Sequence, residues 1–199
     1  MLKEGELTED QLKLLLVLYM TTKPPHRPPN GTVVVERWAK EIFLLAIAYE
    51  GAVRGIFTYD YAPSVMLVGG AYRFVNVSQE CLNDLRYLAS KGLVEILSLA
   101  TERHLFIRAY RISGKGREVV EAFLRSDRAE ELLKEVKNLI CCEEGEVMDA
   151  SLKEEEGIVK VVLRCPHGHT REITGLFETE DVSYESEPIT FWGSRHDKG

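Results

Sequence analysis

Apolar and polar positions alternate along the chain with two periods, one helical and one strand-like, and these divide it into elements. Leu12, Leu14, Leu15, Leu16 and Leu18 follow Thr8-Glu9-Asp10-Gln11. Thr8 can cap a helix and Gln11, three residues on, can complete a capping box, so a first helix is predicted over 8–21. Four prolines between Lys23 and Gly31 forbid helix and favour a stiff, extended connection. From Glu36 to Tyr49 the apolar residues Trp38, Ile42, Leu45, Ala46 and Tyr49 return at helical spacing, with Gly51 as the stop. Residues 53–77 are rich in Val, Phe, Tyr and Ile around Gly69-Gly70, which predicts a β-hairpin. Ser78 then caps a third helix bearing Leu82, Leu85, Leu88 and Ala89 on one face, and Gly92 ends it. Strands are predicted at Val94–Leu99 and Leu105–Ile112, a fourth helix at Arg117–Leu124 and a fifth from Ser126 to Ile140. The remainder carries a strand at Ile158–Arg164, a Pro-His-Gly turn, a strand over Thr170–Phe177 and an acidic tail.

This order, three helices, a two-stranded ribbon and a further helix, predicts an α+β fold with a domain at residues 1–126. A linking helix at 127–142 and a small acidic β unit at 143–199 follow. Two stretches carry a family resemblance. Leu82-Asn-Asp-Leu85-Arg-Tyr-Leu88-Ala-Ser-Lys-Gly92-Leu-Val-Glu-Ile resembles the third helix and first wing strand of winged helix-turn-helix proteins. Tyr110-Arg-Ile-Ser-Gly-Lys-Gly116-Arg-Glu-Val resembles the second wing strand and following helix of MarR- and PadR-like regulators. Arg37-Trp-Ala-Lys-Glu-Ile-Phe-Leu-Leu45 with Phe57-Thr-Tyr-Asp-Tyr-Ala-Pro-Ser64 resembles archaeal winged-helix proteins, although Ala62 and Val65 replace a glycine and a tyrosine of that pattern. The resemblance covers residues 8–125. It implies a winged helix that binds DNA, often as a dimer, in an archaeal protein.

Composition refines this picture. The chain has 199 residues, a net charge of −7, 45% hydrophobic and 29% charged residues, values of a globular protein. No apolar run approaches the ~18 residues that a membrane span needs, and the acidic first residues do not read as a secretory signal. Four cysteines are too few for a secreted disulfide scaffold, so a cytoplasmic chain is expected. Only six Asn and Gln residues beside abundant Glu point to a thermophile. The charge is unevenly spread: residues 1–126 carry a net +2 and residues 127–199 a net −9. The acidic second part is unsuited to a phosphate backbone, whereas the first holds a basic run.

That run, residues 103–117, contains Arg103, His104, Arg108, Arg111, Lys115 and Arg117 and no acid. As a wing it would grip phosphates or a minor groove, while Gln79, Asn83 and Arg86 on the third helix could make bidentate contacts with base edges. The same residues could equally form a solvated strand pair and an ordinary helix face, and Glu80 and Asp84 would repel phosphates. Lys23, His26 and Arg27 could form a basic arm, although a stiff spacer explains the proline segment better.

Near the end, Cys165-Pro-His167-Gly-His169 and Cys141-Cys142 bring together residue types that suit Zn²⁺. Cys141, Cys142, Cys165, His167 and His169 are the candidate metal ligands, with Cys141 or Cys142 joining the other three. The pattern resembles half of a zinc knuckle, with Gly168 where a second cysteine would stand. The competing view is a polar turn with two buried helix cysteines. A Cys141–Cys142 disulfide would be strained. No phosphate loop, dinucleotide fingerprint or nucleophile elbow is present, so no enzyme activity is expected. The fifth helix carries an apolar stripe, Leu132, Leu133, Val136, Leu139 and Ile140, suited to a homodimer interface or to packing within the chain. Phe191 and Trp192 in the tail would pack back or anchor a partner. The expected function is a sequence-specific transcription regulator acting on double-stranded DNA. The alternative is a winged-helix interaction scaffold whose acidic part docks a basic protein.

Overall fold

A computed structural model describes residues 7–26, 35–68, 71–100, 107–155 and 158–177. Arg27, the Gly69-Gly70 turn, Arg103, His104, Phe191 and Trp192 lie outside the described residues.

The first helix, α1 (Glu9–Thr21), starts with the capping box that its sequence predicts. The Gln11 N–H donates to Thr8 Oγ1 at 3.2 Å and the Thr8 N–H to Gln11 Oε1 at 3.1 Å. Leu14 to Leu18 are all buried, so α1 is enclosed on most sides rather than amphipathic. The proline segment opens with β1 (Lys23–His26), paired antiparallel with β2 (Val35–Arg37). Next, β3 (Ala39–Lys40) pairs with β7 (Ile107–Ile112) through Ala39↔Tyr110 and Lys40↔Ala109. This pairing corrects the second helix: α2 is Glu41–Val53, not 36–49. Residues 35–40 are held extended by long-range partners that helical periodicity cannot report. Gly51 does not end α2 either; it lies inside the helix, where a Cβ would collide with the Phe57 ring.

The hairpin β4 (Ala62–Val68) and β5 (Ala71–Val77) keeps one register from Ala62↔Val77 to Val68↔Ala71. Ser78 Oγ accepts the Cys81 N–H at 3.1 Å and starts α3 (Gln79–Ser90). Gly92, at φ 72°, takes the left-handed conformation that turns the chain back into β6 (Val94–Leu99). Ser113 caps α4 (Gly114–Phe123), which starts three residues earlier than the sequence suggests. After α5 (Ala129–Ile140) come β8 (Asp149–Glu155), β9 (Ile158–Arg164) and β10 (Thr170–Ile173).

The fold is α+β. Among the described residues, five helices accompany two three-stranded antiparallel sheets, ordered β3-β7-β6 and β10-β9-β8, and the hairpins β1-β2 and β4-β5. One apolar core runs through α1, α2, α3, β7 and α5 and continues to Val159, Val161, Leu163 and Ile173 of the last sheet. Leu132, Val136, Leu139 and Ile140 are buried in it, and α5 packs on α1 and α2. The stripe that suggested a dimer interface is thus consumed within the chain, leaving only Leu133 partly exposed.

Hydrogen bonds and ion pairs anchor the last sheet to the rest of the fold. The Asn76 N–H donates to the Leu176 carbonyl at 2.7 Å, Asn76 Nδ2 to the Gly175 carbonyl at 2.7 Å, and Arg73 meets Glu154 at 3.0 Å. On the other side, the Arg171 guanidinium donates to the Asn138 and Leu139 carbonyls, answering the free acceptors at the end of α5.

Candidate functional site

The ribbon β6–β7 is in register from Val94↔Ile112 to Leu99↔Ile107, which sets Ser98 opposite Arg108 and Glu95 opposite Arg111. Side chains alternate between the faces of a strand, so Arg108 and Arg111, three residues apart, point to opposite faces. Arg108 is half-exposed and lies 3.7 Å from Glu41. Arg111 is only 8% exposed, pairs with Glu95, and stacks 4.2 Å over the Trp38 ring. Its side chain is held against Trp38 and Glu95 instead of standing in solvent. Burial sets Tyr110 apart too: it pushes the hydroxyl well above its ordinary range, and the neighbouring Glu41 adds to the effect.

The other basic positions of the run divide. Lys115 is exposed and donates to the Lys91 carbonyl at 2.8 Å, tying the start of α4 to the end of α3. Arg117 is half-buried, its guanidinium 4.8 Å over the Tyr19 ring. Arg103 and His104 fall outside the described residues. Ile96 and Leu99 on β6 are exposed.

On α3, Gln79, Asn83 and Arg86 share one exposed face. Gln79 Nε2 and Arg86 Nη1 both donate to Asn83 Oδ1, at 3.1 and 3.0 Å. The two acids of this helix are engaged elsewhere. Asp84 accepts from Gln11 Nε2 at 2.7 Å and from the Tyr59 hydroxyl at 3.0 Å. Glu80 accepts the Asp60 N–H at 3.1 Å. Asp84 therefore joins α3 to α1 and to the loop after α2 instead of standing in the Gln79–Asn83–Arg86 row. Beneath it, burial pushes the Cys81 thiol up to about 12. Burial first, then nearby Cys81 and Asp84, raises the Tyr59 hydroxyl beyond its ordinary range. Cys81 is an inert core thiol.

Among the described residues, no carboxylate of the acidic half pairs with Arg108 or Arg111 in the ion pairs seen. Among the described residues its carboxylates meet other cations: Asp149 pairs with Arg37, Glu154 with Arg73, and Glu135 with Lys13 at 3.0 Å.

The cysteine-histidine candidates separate as well. Cys142, Cys165 and His169 converge, their ligand atoms all within 4.8 Å of one another. Cys165 Sγ lies 3.4 Å from His169 Nδ1. Cys141 is not in the cluster; as the cap of α5 it forms a backbone bridge with Val147. His167 is exposed at the tip of its turn, with Nε2 3.4 Å from Glu144 Oε2. Glu144, which the sequence reading overlooked inside an acidic run, also approaches His169 Nε2 at 4.0 Å. A hydrogen bond with the Cys142 side chain, and then the Glu144 charge, raise the His169 imidazole above its ordinary value. The signal that could have singled out Glu144 is the shared spacing of Cys142-Glu-Glu-Gly145 and Cys165-Pro-His-Gly168.

No helix among the described residues is long and apolar enough to cross a membrane. Residues 10–174 match the model of a family described as the uncharacterized protein MJ1567 family. No curated protein and no solved structure matches.

Proposed function

The chain belongs to the uncharacterized protein MJ1567 family, and we propose that it acts as a winged-helix DNA-binding protein that regulates transcription. In this reading α3 is the recognition helix, β6–β7 is the wing, and β3 closes the wing sheet from between α1 and α2. The observation that carries it is the free outer face of α3 beside that ribbon: Gln79, Asn83 and Arg86 stand exposed in one linked row, and Asp84 is withdrawn from it. Such side chains suit base edges in a major groove. Arg108 on the ribbon and Lys115 at the start of α4 then supply phosphate contacts, and Arg103 and His104 are candidates by sequence alone. Arg111 takes no part. A dimer, if DNA binding needs one, uses a face other than the buried stripe of α5.

Titrating the full chain onto a fluorescent duplex by anisotropy tests the proposal. Affinity is expected to fall steeply with salt, the logarithmic slope growing by about 0.9 for each phosphate neutralised. Enrichment of a defined sequence from a random pool is expected as well. Absence of binding, or an affinity indifferent to salt, overturns it.

A second reading has its own support. Glu143, Glu144, Glu146 and Glu155 are exposed on the acidic half, which suits a basic protein partner. In that case the protein is a scaffold of the cytoplasm, and a partner captured from native extract stays bound after nuclease treatment. Loss of the partner with nuclease returns the choice to DNA.

A further inference from the structure

We propose that Cys142, Cys165 and His169 bind one Zn²⁺ ion, with Glu144 holding the His169 imidazole from outside the ligand set. The inference is independent of the DNA-binding reading.

Two turns face each other at this place, and they are built alike. In the first, the Cys142 N–H donates to the Glu146 carbonyl at 2.9 Å and the Gly145 N–H to the Cys142 carbonyl at 2.9 Å. In the second, the Cys165 N–H donates to the His169 carbonyl at 3.0 Å and the Gly168 N–H to the Cys165 carbonyl at 3.0 Å. Each is a five-residue turn with cysteine first and glycine fourth, and Gly168 at φ 90° requires the left-handed conformation. Two unrelated segments thus set a thiol at equivalent corners, and the thiols meet. Cys165 is buried at the edge of the apolar core, whereas Cys142 is only half-buried and His169 is exposed.

The spacing of Cys165 and His169 suits a tetrahedral ion. Bonds of about 2.3 Å to sulfur and 2.0 Å to nitrogen place those two ligand atoms about 3.5 Å apart. Cys165 Sγ and His169 Nδ1 lie 3.4 Å apart. Two soft thiolates and an imidazole favour Zn²⁺ over Ca²⁺ or Mg²⁺, which take oxygen ligands. Glu144 Oε1 lies 4.0 Å from His169 Nε2, the ring nitrogen other than the one that meets Cys165, where it can orient the imidazole from outside the cluster. Binding displaces one proton from each thiol, so two protons leave for each ion bound when His169 is neutral. The ion would staple the end of α5 to the β9–β10 turn. This is a useful position, because β8 buries almost nothing and the last sheet is small.

The test uses the untagged full chain, reduced and stripped of metal, and then titrated with Co²⁺ and Zn²⁺. One ion per chain is expected. Co²⁺ should give thiolate charge-transfer absorption and tetrahedral d–d bands that Zn²⁺ abolishes. Cys142→Ser should lose most of the charge-transfer band, whereas Cys141→Ser should keep stoichiometry and spectrum. Cys142 is half-exposed, so its variant reports on ligation even if Cys165→Ser fails to fold. Glu144→Gln should weaken binding about tenfold, and His167→Gln should leave it unchanged. Failure to take up one ion, or loss of the spectrum in Cys141→Ser but not in Cys142→Ser, overturns the site. Weakening by His167→Gln and not by Glu144→Gln overturns the role given to Glu144.

Discussion

The guanidinium of Arg111 stacks 4.2 Å over the indole of Trp38, joining the ribbon to the connection between the first two helices. Arg111 also pairs with Glu95 across the ribbon, so a residue that reads as part of a basic surface is a clamp. Arg111→Ala should lower unfolding free energy by about 1–3 kcal/mol, from the lost cation–π contact and ion pair. Arg111→Lys should recover little, since an ammonium cannot stack as a plane. Neither change should alter the salt slope of DNA binding measured under folding conditions. By contrast, Arg108→Ala should reduce that slope by about one, and Arg86→Ala should cost about 1–3 kcal/mol at the preferred sequence only. A reduced slope for Arg111→Ala at constant stability would return it to the interface.

Asp84 separates the same two roles on α3. It accepts from Gln11 and Tyr59, and Tyr59 is buried. Asp84→Ala strands both donors and should cost about 1–3 kcal/mol in urea denaturation. Its effect on DNA affinity should stay within about twofold, because its charge is directed away from the proposed contact face and is screened by salt. A large gain in affinity would mean that the carboxylate faces the phosphates.

The pH dependence of stability centres on Lys13. Its side chain is 4% exposed and lies 2.8 Å from Glu9 and 3.0 Å from Glu135, while donating to the Ile56 carbonyl at 2.6 Å. Burial opposes its charge, but hydrogen bonds to Glu9 and Glu135 outweigh it and hold the ammonium above its ordinary value. The hydrogen bond from Lys13, then its charge and that of Arg128, hold the Glu9 carboxyl below its own ordinary value. A lowered carboxyl stabilises the fold above its unfolded pKa and loses that contribution as pH falls through the folded value. A raised ammonium stabilises below its unfolded pKa and loses the contribution as pH rises through the folded value. Glu9→Gln should therefore flatten part of the decline in stability between about pH 5 and 3. Chemical denaturation across that range checks it, and an unchanged acid limb would remove Glu9 from the account.

Local chemistry made part of this structure legible. Thr8 with Gln11, Ser78 and Gly92 act through neighbours in sequence, and each sits where its cap or turn was expected. What failed depended on distant partners. Trp38 to Lys40 carry helical spacing, yet Tyr110 and Ala109 draw Ala39 and Lys40 into a sheet. The strand Asp149–Glu155 escaped notice because it is almost wholly exposed and has no apolar alternation; pairing with β9 makes it a strand. The basic run was visible, but the face each arginine takes depended on Trp38, Tyr19 and Glu95, none of them adjacent in sequence. Among the candidate ligands, the choice of Cys142 over Cys141 follows from where α5 ends and from the bridge to Val147, which spacing cannot fix.

The same dependence on distant partners governs α5. An apolar stripe on a helix is satisfied equally by a second chain or by the chain's own core, and here Leu139 is fully buried with Val136 against α1 and α2. Leu139→Ala should destabilise the protein by about 2–5 kcal/mol through lost burial and a residual cavity. Because the cavity lies inside one chain, the loss should be the same at low and high protein concentration. A stripe shared between two chains would couple unfolding to dissociation and make the midpoint rise with concentration. Thermal melts of the wild type and Leu139→Ala over a hundredfold range of concentration distinguish the cases. A midpoint that climbs in the wild type and stops climbing in the variant would move Leu139 to an interface between copies.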